Sequence, residues 1–199
     1  MIGIIDYGAG NLFSVKNALD YLGFQNKITS SEEEIRNADK LILPGVGAFP
    51  DAMRMLRQTG LESTIVEEAQ KKPFLGICLG MQMLFDYGYE FEKTKGLSLI
   101  PGEVRRMVAP GLKIPHMGWS DVRTENECEL SQGSKDGDRF YYVHSYLAVT
   151  DRQYISLFSE YGECIPGLVY KGRIFGTQFH PEKSGEIGLK MLKNFGGLK

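Results

Sequence analysis

Two short segments hold a nucleophile, a base and an orienting acid. Gly76-Ile77-Cys78-Leu79-Gly80 follows an apolar run, Phe74 to Ile77, that reads as a buried strand, and it opens a stretch of helical character. A tight strand-to-helix turn presents a reactive atom, and flanking glycines relieve the backbone crowding of such a turn. A helix N-terminus favours a thiolate, and the Leu79 N–H is placed to donate to a developing oxyanion. The same five residues also fit a buried structural cysteine between packing glycines. His180-Pro181-Glu182 ends a predicted strand over 174–179. In extended backbone, side chains at i and i+2 share a face, so Glu182 can bond one imidazole nitrogen and leave the other for Cys78. A lone strand-end histidine beside a solvated glutamate is the plainer alternative.

Two glycine-rich turns complete the candidates. Pro44-Gly45-Val46-Gly47 lies just past a predicted strand, where glycine permits unusual backbone angles and close approach to a ligand. It reads as a second oxyanion donor or as an ordinary strand-to-helix turn. Gly8-Ala9-Gly10 resembles the start of a dinucleotide fingerprint, but Phe13 stands where the third glycine belongs, and no P-loop Lys-Ser/Thr is present. A nucleotide site is not expected.

The elements that must position these groups follow from periodicity. The first half alternates strands (2–6, 25–29, 40–43, 74–77) with helices (11–22, a short one capped by Ser31 and Glu34, 51–70 with a break near Gly60, and 78 to about 85). That order predicts a parallel sheet covered by helices, with ligands beyond the carboxyl ends of its strands. The second half reads as strands over 104–108, 113–122, 140–149, 154–160, 165–170 and 174–179, then a terminal helix over 184–195. The expected fold is α/β with three layers. One central, mixed, mostly parallel sheet carries helices on both faces and an antiparallel extension, in a single domain over 1–199. The polar stretch 125–138 is expected to be an exposed loop.

Composition narrows the function classes. Lys plus Arg number 23 and Asp plus Glu 25, a net charge of −2, which gives no electrostatic case for nucleic acid or an anionic membrane surface. No apolar run approaches the roughly 20 residues of a spanning helix. Three cysteines without paired spacing suit a reducing cytoplasm. The scattered His116, His144 and His180 lack metal-ligand spacing, so neither metal nor cofactor is expected. His116 reads as a structural hydrogen-bonder, and Cys128 and Cys164 as bystanders.

Gly76-Ile-Cys-Leu-Gly-Met-Gln82 with His180-Pro-Glu182 resembles the class I glutamine amidotransferases. Six further blocks, Asp6–Asn11, Pro44–Phe49, Lys95–Ile100, Pro115–Trp119, Val143–Tyr146 and Gln178–Lys183, are similar to the glutaminase subunits of imidazole glycerol phosphate synthases, and they span nearly the whole chain. The resemblance implies that Cys78 attacks the glutamine carboxamide. His180 protonates the departing ammonia and then activates water, and Glu182 orients His180. It implies that Gln82 and Glu90 hold the substrate, with its carboxylate on the backbone of His144, Ser145 and Tyr146. Gly45, Val46 and Gly47 would form a mobile oxyanion strand. The implied partner is a (β/α)8-barrel synthase subunit that receives the ammonia for histidine biosynthesis, met by segments holding Trp119, Tyr141 and Lys183. One departure stands out: Ser120 occupies a place where the histidine-pathway subunits carry Asn. Ser120 and the Phe91-Glu92 segment leave open a paralogue that supplies ammonia to a sugar-modifying synthetase for surface glycans. Another cysteine hydrolase on a related fold, or a non-catalytic regulatory subunit, are the further alternatives.

Overall fold

The computed structural model describes residues 1–199. The first half is built as the alternation predicts. Strand β1 (Ile2–Ile5) leads to α1 (Leu12–Tyr21), β2 (Asn26–Thr29), α2 (Glu32–Asn37), β3 (Lys40–Gly45), α3 (Phe49–Thr59), α4 (Glu62–Ala69), β4 (Phe74–Cys78) and α5 (Leu79–Gln82). Asn11 caps α1 by accepting from the Ser14 N–H. Ser31 caps α2 through the Glu34 N–H. The reciprocal half of that capping box is replaced, because the Ser31 N–H donates to Thr29 Oγ1 and the Glu34 carboxylate pairs with Lys27. Gly60 separates α3 from α4 at φ 75°, the left-handed conformation glycine tolerates best.

The second half comprises β5 (Tyr87–Gly88), β6 (Thr94–Lys95), β7 (Glu103–Arg106), β8 (His116–Asp121), β9 (Arg123–Thr124), β10 (Arg139–His144), β11 (Tyr146–Val149), β12 (Ile155–Glu160), β13 (Cys164–Lys171), β14 (Ile174–Thr177) and α6 (Gly185–Gly197). An 8-stranded sheet runs β2-β1-β3-β4-β14-β13-β12-β9. Its pairs from β2 to β14 are parallel, and those from β14 to β9 antiparallel. Along its strands, side chains alternate between two cores. Ile5, Leu41, Leu43 and Phe74 face α2, α3 and α4, whereas Ile4, Ile42, Leu75 and Ile77 face α1 and α6. That alternation makes three layers, as expected.

Four sequence expectations are corrected. The antiparallel extension is present on the central sheet as β13-β12-β9, but not every strand of the second half joins it: β10-β8 form a ribbon, and β11-β7-β5-β6 form a third sheet. The single strand expected over 140–149 breaks at Ser145, whose carbonyl accepts from the Met107 N–H. The helix expected through Phe85 is only α5, because a neighbouring segment takes over its carbonyls. Leu97 N–H donates to Met83 O at 2.8 Å, and Leu99 N–H to Leu84 O at 2.8 Å. The stretch 125–138 is partly anchored, with Cys128, Leu130 and Ser131 buried and the Asn194 amide donating to the Leu130 and Gln132 carbonyls.

Candidate functional site

The turn after β4 is as crowded as a nucleophile elbow requires. Cys78 adopts φ 56° and ψ −112°, a conformation L-residues hold only when their surroundings dictate it. A Cβ on Gly76 would lie 2.6 Å from the Gly80 carbonyl oxygen, and one on Gly80 would lie 1.8 Å from the Leu43 carbonyl oxygen. The glycines are therefore packing glycines and elbow glycines at once, and the two sequence readings merge. Leu79 is the first residue of α5, where no intrahelical carbonyl reaches its N–H.

The Cys78 sulfur faces the end of β14 and the β10–β11 corner. It lies 3.9 Å from the Val143 carbonyl and 3.9 Å from Gln178 Nε2. His180 is buried and holds Glu182 Oε1 through Nδ1 at 2.8 Å, which leaves Nε2 for the Cys78 side. Burial works against charge on this imidazole, yet the Cys78 sulfur and the Glu182 carboxylate outweigh it and raise its pKa to about 10. The segment is pinned to β10: His180 N–H donates to Tyr141 O, Tyr141 N–H donates to Ser184 Oγ, and Ser184 Oγ donates back to His180 O at 2.6 Å.

These groups open onto a cavity of about 380 Å3. It is lined by Val46, Gly47, Leu79, Gln82 and Glu90, and by His144, Ser145 and Tyr146. Glu90 accepts the Phe49 N–H at 2.8 Å, and burial pushes its carboxyl pKa up, against that hydrogen bond. Gln82 donates to Tyr146 O at 3.0 Å and to Gln178 Oε1 at 2.9 Å. Glu182 stays behind His180, off the cavity wall.

Gly45 differs from the other members of its loop. It is the last residue of β3, in register with Cys78, and a Cβ there would lie 2.7 Å from the Gly80 nitrogen and 2.9 Å from the Tyr7 hydroxyl. Its lack of a side chain serves packing, while Val46 and Gly47 reach the cavity. Sequence reasoning missed Gln178, a polar residue with no exposure at the end of an apolar strand. A buried amide there, two residues before His180, was the available signal. Trp119, Tyr141 and Lys183 lie outside the cavity. Trp119 and Tyr141 pair across the β8–β10 ribbon with ring centroids 6.0 Å apart.

A strained cysteine, a paired imidazole and a polar cavity can support acyl transfer from an amide to sulfur. Comparison with known proteins names the family. The model for "Glutamine amidotransferase class-I" matches residues 3–196. The chain belongs to the class I glutamine amidotransferases. It is 51% identical over 199 residues, all of this chain and 95% of the relative, to a protein of Bacillus anthracis named imidazole glycerol phosphate synthase subunit HisH. A protein of the same name from Bacillus mycoides matches to the same extent. These relatives do not favour the surface-glycan paralogue. Among solved structures, a glutamine amidotransferase superposes with TM-score 0.76 at 18% identity, covering 99% of each chain. The structure of PurLQS from Thermotoga maritima gives TM-score 0.76 at 21% identity, covering 98% of this chain and 96% of that one. At such identities these two bear on the fold alone. No helix is long and apolar enough to cross a membrane, and no group of three or more His, Cys, Asp or Glu is placed to hold a metal.

Proposed function

We propose that this amidotransferase hydrolyses glutamine at Cys78 and delivers the ammonia to the synthase subunit of an imidazole glycerol phosphate synthase, in histidine biosynthesis. The observation that carries the chemistry is the meeting of Cys78, His180 and the Gln82–Glu90 side on one cavity. Full-length similarity to the Bacillus subunits supports the choice of acceptor.

The Cys78 thiolate adds to the amide carbon, and the oxyanion takes hydrogen bonds from the Leu79 N–H and from the Gly45–Gly47 strand. His180 Nε2–H gives its proton to the leaving nitrogen, the C–N bond breaks, and ammonia departs from a γ-glutamyl thioester. Neutral His180 then removes a proton from water as its oxygen attacks the thioester. The C–S bond breaks, and glutamate and thiolate are restored with protonated His180. Glu182 holds the ring through Nδ1 in both halves. Glutamine rests against Gln82 and Glu90, with its carboxylate on the His144–Tyr146 backbone.

The 199 residues act as one domain in a heterodimer with a (β/α)8-barrel subunit, docked on the side that bears Trp119, Tyr141 and Lys183. Free cysteines at 78, 128 and 164 suit the cytoplasm. The glutamine analogue 6-diazo-5-oxo-norleucine tests the reading: mass spectrometry should find it on Cys78 alone. Labelling of Cys164, or none while simple thiol reagents still reach Cys78, would mean a cysteine hydrolase with another substrate.

A further inference from the structure

A chain of buried hydrogen bonds runs behind the cavity wall, and the thioester chemistry itself does not call for it. His144 Nδ1 lies 2.8 Å from Tyr146 O. A carbonyl only accepts, so that nitrogen carries the hydrogen. In a neutral ring His144 Nε2 is then bare, and it accepts from His116 Nδ1 at 3.0 Å. That leaves His116 Nε2 bare as well, and Ser120 Oγ donates to it at 2.8 Å. Every donor is fixed by the carbonyl at the inner end. Both rings are held in the Nδ1–H tautomer and both are neutral, in keeping with the burial that brings each pKa down to about 4.

The surroundings hold the chain in place. His116 is 1% exposed and stacks between Tyr142 and Tyr161, with ring centroids at 4.8 and 4.0 Å. At the inner end, Tyr146 O also accepts from Gln82 Nε2, and Gln82 passes through Gln178 to the Cys78 sulfur. At the outer end, Ser120 is half-buried in a groove beside Trp119 and Arg139. It is the member of the chain that a protein lying on Trp119 can reach.

We infer that Ser120, His116 and His144 form a tautomer-locked relay that positions the Tyr146 carbonyl, and through it Gln82, for glutamine binding. The inference rests on the glutaminase reading. The three are positioning residues; none touches the reacting atoms. Removing the Ser120 hydroxyl leaves His116 Nε2 without a donor. With that buried nitrogen unpaired, the two rings are no longer anchored at their outer end, and the hold of His144 Nδ1–H on the Tyr146 carbonyl loosens. Asparagine at the same place restores a donor through its amide.

The test compares the wild type with Ser120→Ala and Ser120→Asn, using the full chain with its synthase partner. Long-range 15N–1H NMR of the full chain should show hydrogen on Nδ1 of both His116 and His144. Ser120→Ala should keep the hydrogen on Nδ1 of both rings, since the Tyr146 carbonyl fixes it, but shift the His116 Nε2 resonance and move the Gln82 side-chain amide resonance, and Ser120→Asn should restore both. The KM for glutamine should rise about fivefold in Ser120→Ala, the scale of one lost hydrogen bond. Meanwhile kcat should stay within about twofold and return with Ser120→Asn. Nε2–H tautomers in the wild type, or a Gln82 resonance and KM indifferent to Ser120→Ala, would overturn the relay. A wild type that hydrolyses no glutamine with its partner would sink the functional reading instead, and the relay would then be judged on the tautomers and the Gln82 resonance.

Discussion

The two sides of the cavity are held very differently. On the Cys78 side, the elbow is clamped between Gly76, Gly80 and the Leu43 carbonyl, and His180 is pinned through Tyr141 and Ser184. Past Gly45, itself packed against Gly80 and Tyr7, the chain leaves β3 and loses its neighbours. Val46 is 47% exposed, and Gly47, at φ 98°, has nothing within 4 Å of the place where a Cβ would stand. In the proposed mechanism nucleophile and base are thus set before substrate arrives, while the second oxyanion donor would come from a loop whose outer part has room to turn its peptides. An enzyme that must not release ammonia without an acceptor gains by this division: the parts hardest to build are rigid, and the part that completes the site is adjustable.

Several substitutions would break or sharpen the contrast. The largest effect belongs to Cys78→Ala. Glutamine-dependent synthesis by the complex should fall by about a thousandfold or more, while synthesis driven by ammonium salts persists. Loss of both would end the proposed division of labour. His180→Ala should follow it closely. Glu182→Gln should cost less, about a hundredfold in kcat, since it disturbs the ring through Nδ1 and leaves the base in place.

Stability separates the two sides directly. Gly80→Ala drives a methyl into the Leu43 carbonyl and should destabilise the fold by about 3 kcal/mol or more in denaturant titrations. Gly47→Ala meets only its own backbone strain, about 1–2 kcal/mol. It should leave the fold intact while changing the degree to which the partner stimulates glutaminase. Equal melting shifts for the two would erase the contrast.

A smaller effect comes from pH. The depressed pKa values of His116 and His144, about 4, mean that the unfolded chain binds more protons than the folded one between about 6.5 and 4. Stability from these rings is complete above that window and declines as pH falls through it. His180 behaves oppositely. Its pairing is fully stabilising below its unfolded value near 6.5, and that contribution is lost as pH rises through about 10. Thermal melts across pH 4 to 10 check both limbs; replacing His116 by Asn should soften the acid one alone.

Much of this was legible in the chain because it depends on local chemistry. The Gly-x-Cys-x-Gly spacing announced the elbow, and His180 with Glu182 at i and i+2 announced the pair. The alternation of helices and strands announced the sheet. What escaped depends on contacts distant in sequence. Leu84 and Phe85 look helical, but residues 97–100 take the Met83 and Leu84 carbonyls. Phe140 to Val149 reads as one strand, yet its halves pair with β8 and β7 in separate sheets. Gln178 became visible as part of the site only once its amide was seen between Gln82 and Cys78.

The most direct test of the central claim is glutamate release by the purified chain, alone and with the synthase subunit from the same source carrying its nucleotide ligand. A preset nucleophile facing an unfinished oxyanion site predicts a slow rate alone and stimulation of about a hundredfold or more in the liganded complex. A full rate from the isolated chain would contradict it, because the Gly45–Gly47 strand would then already be in place.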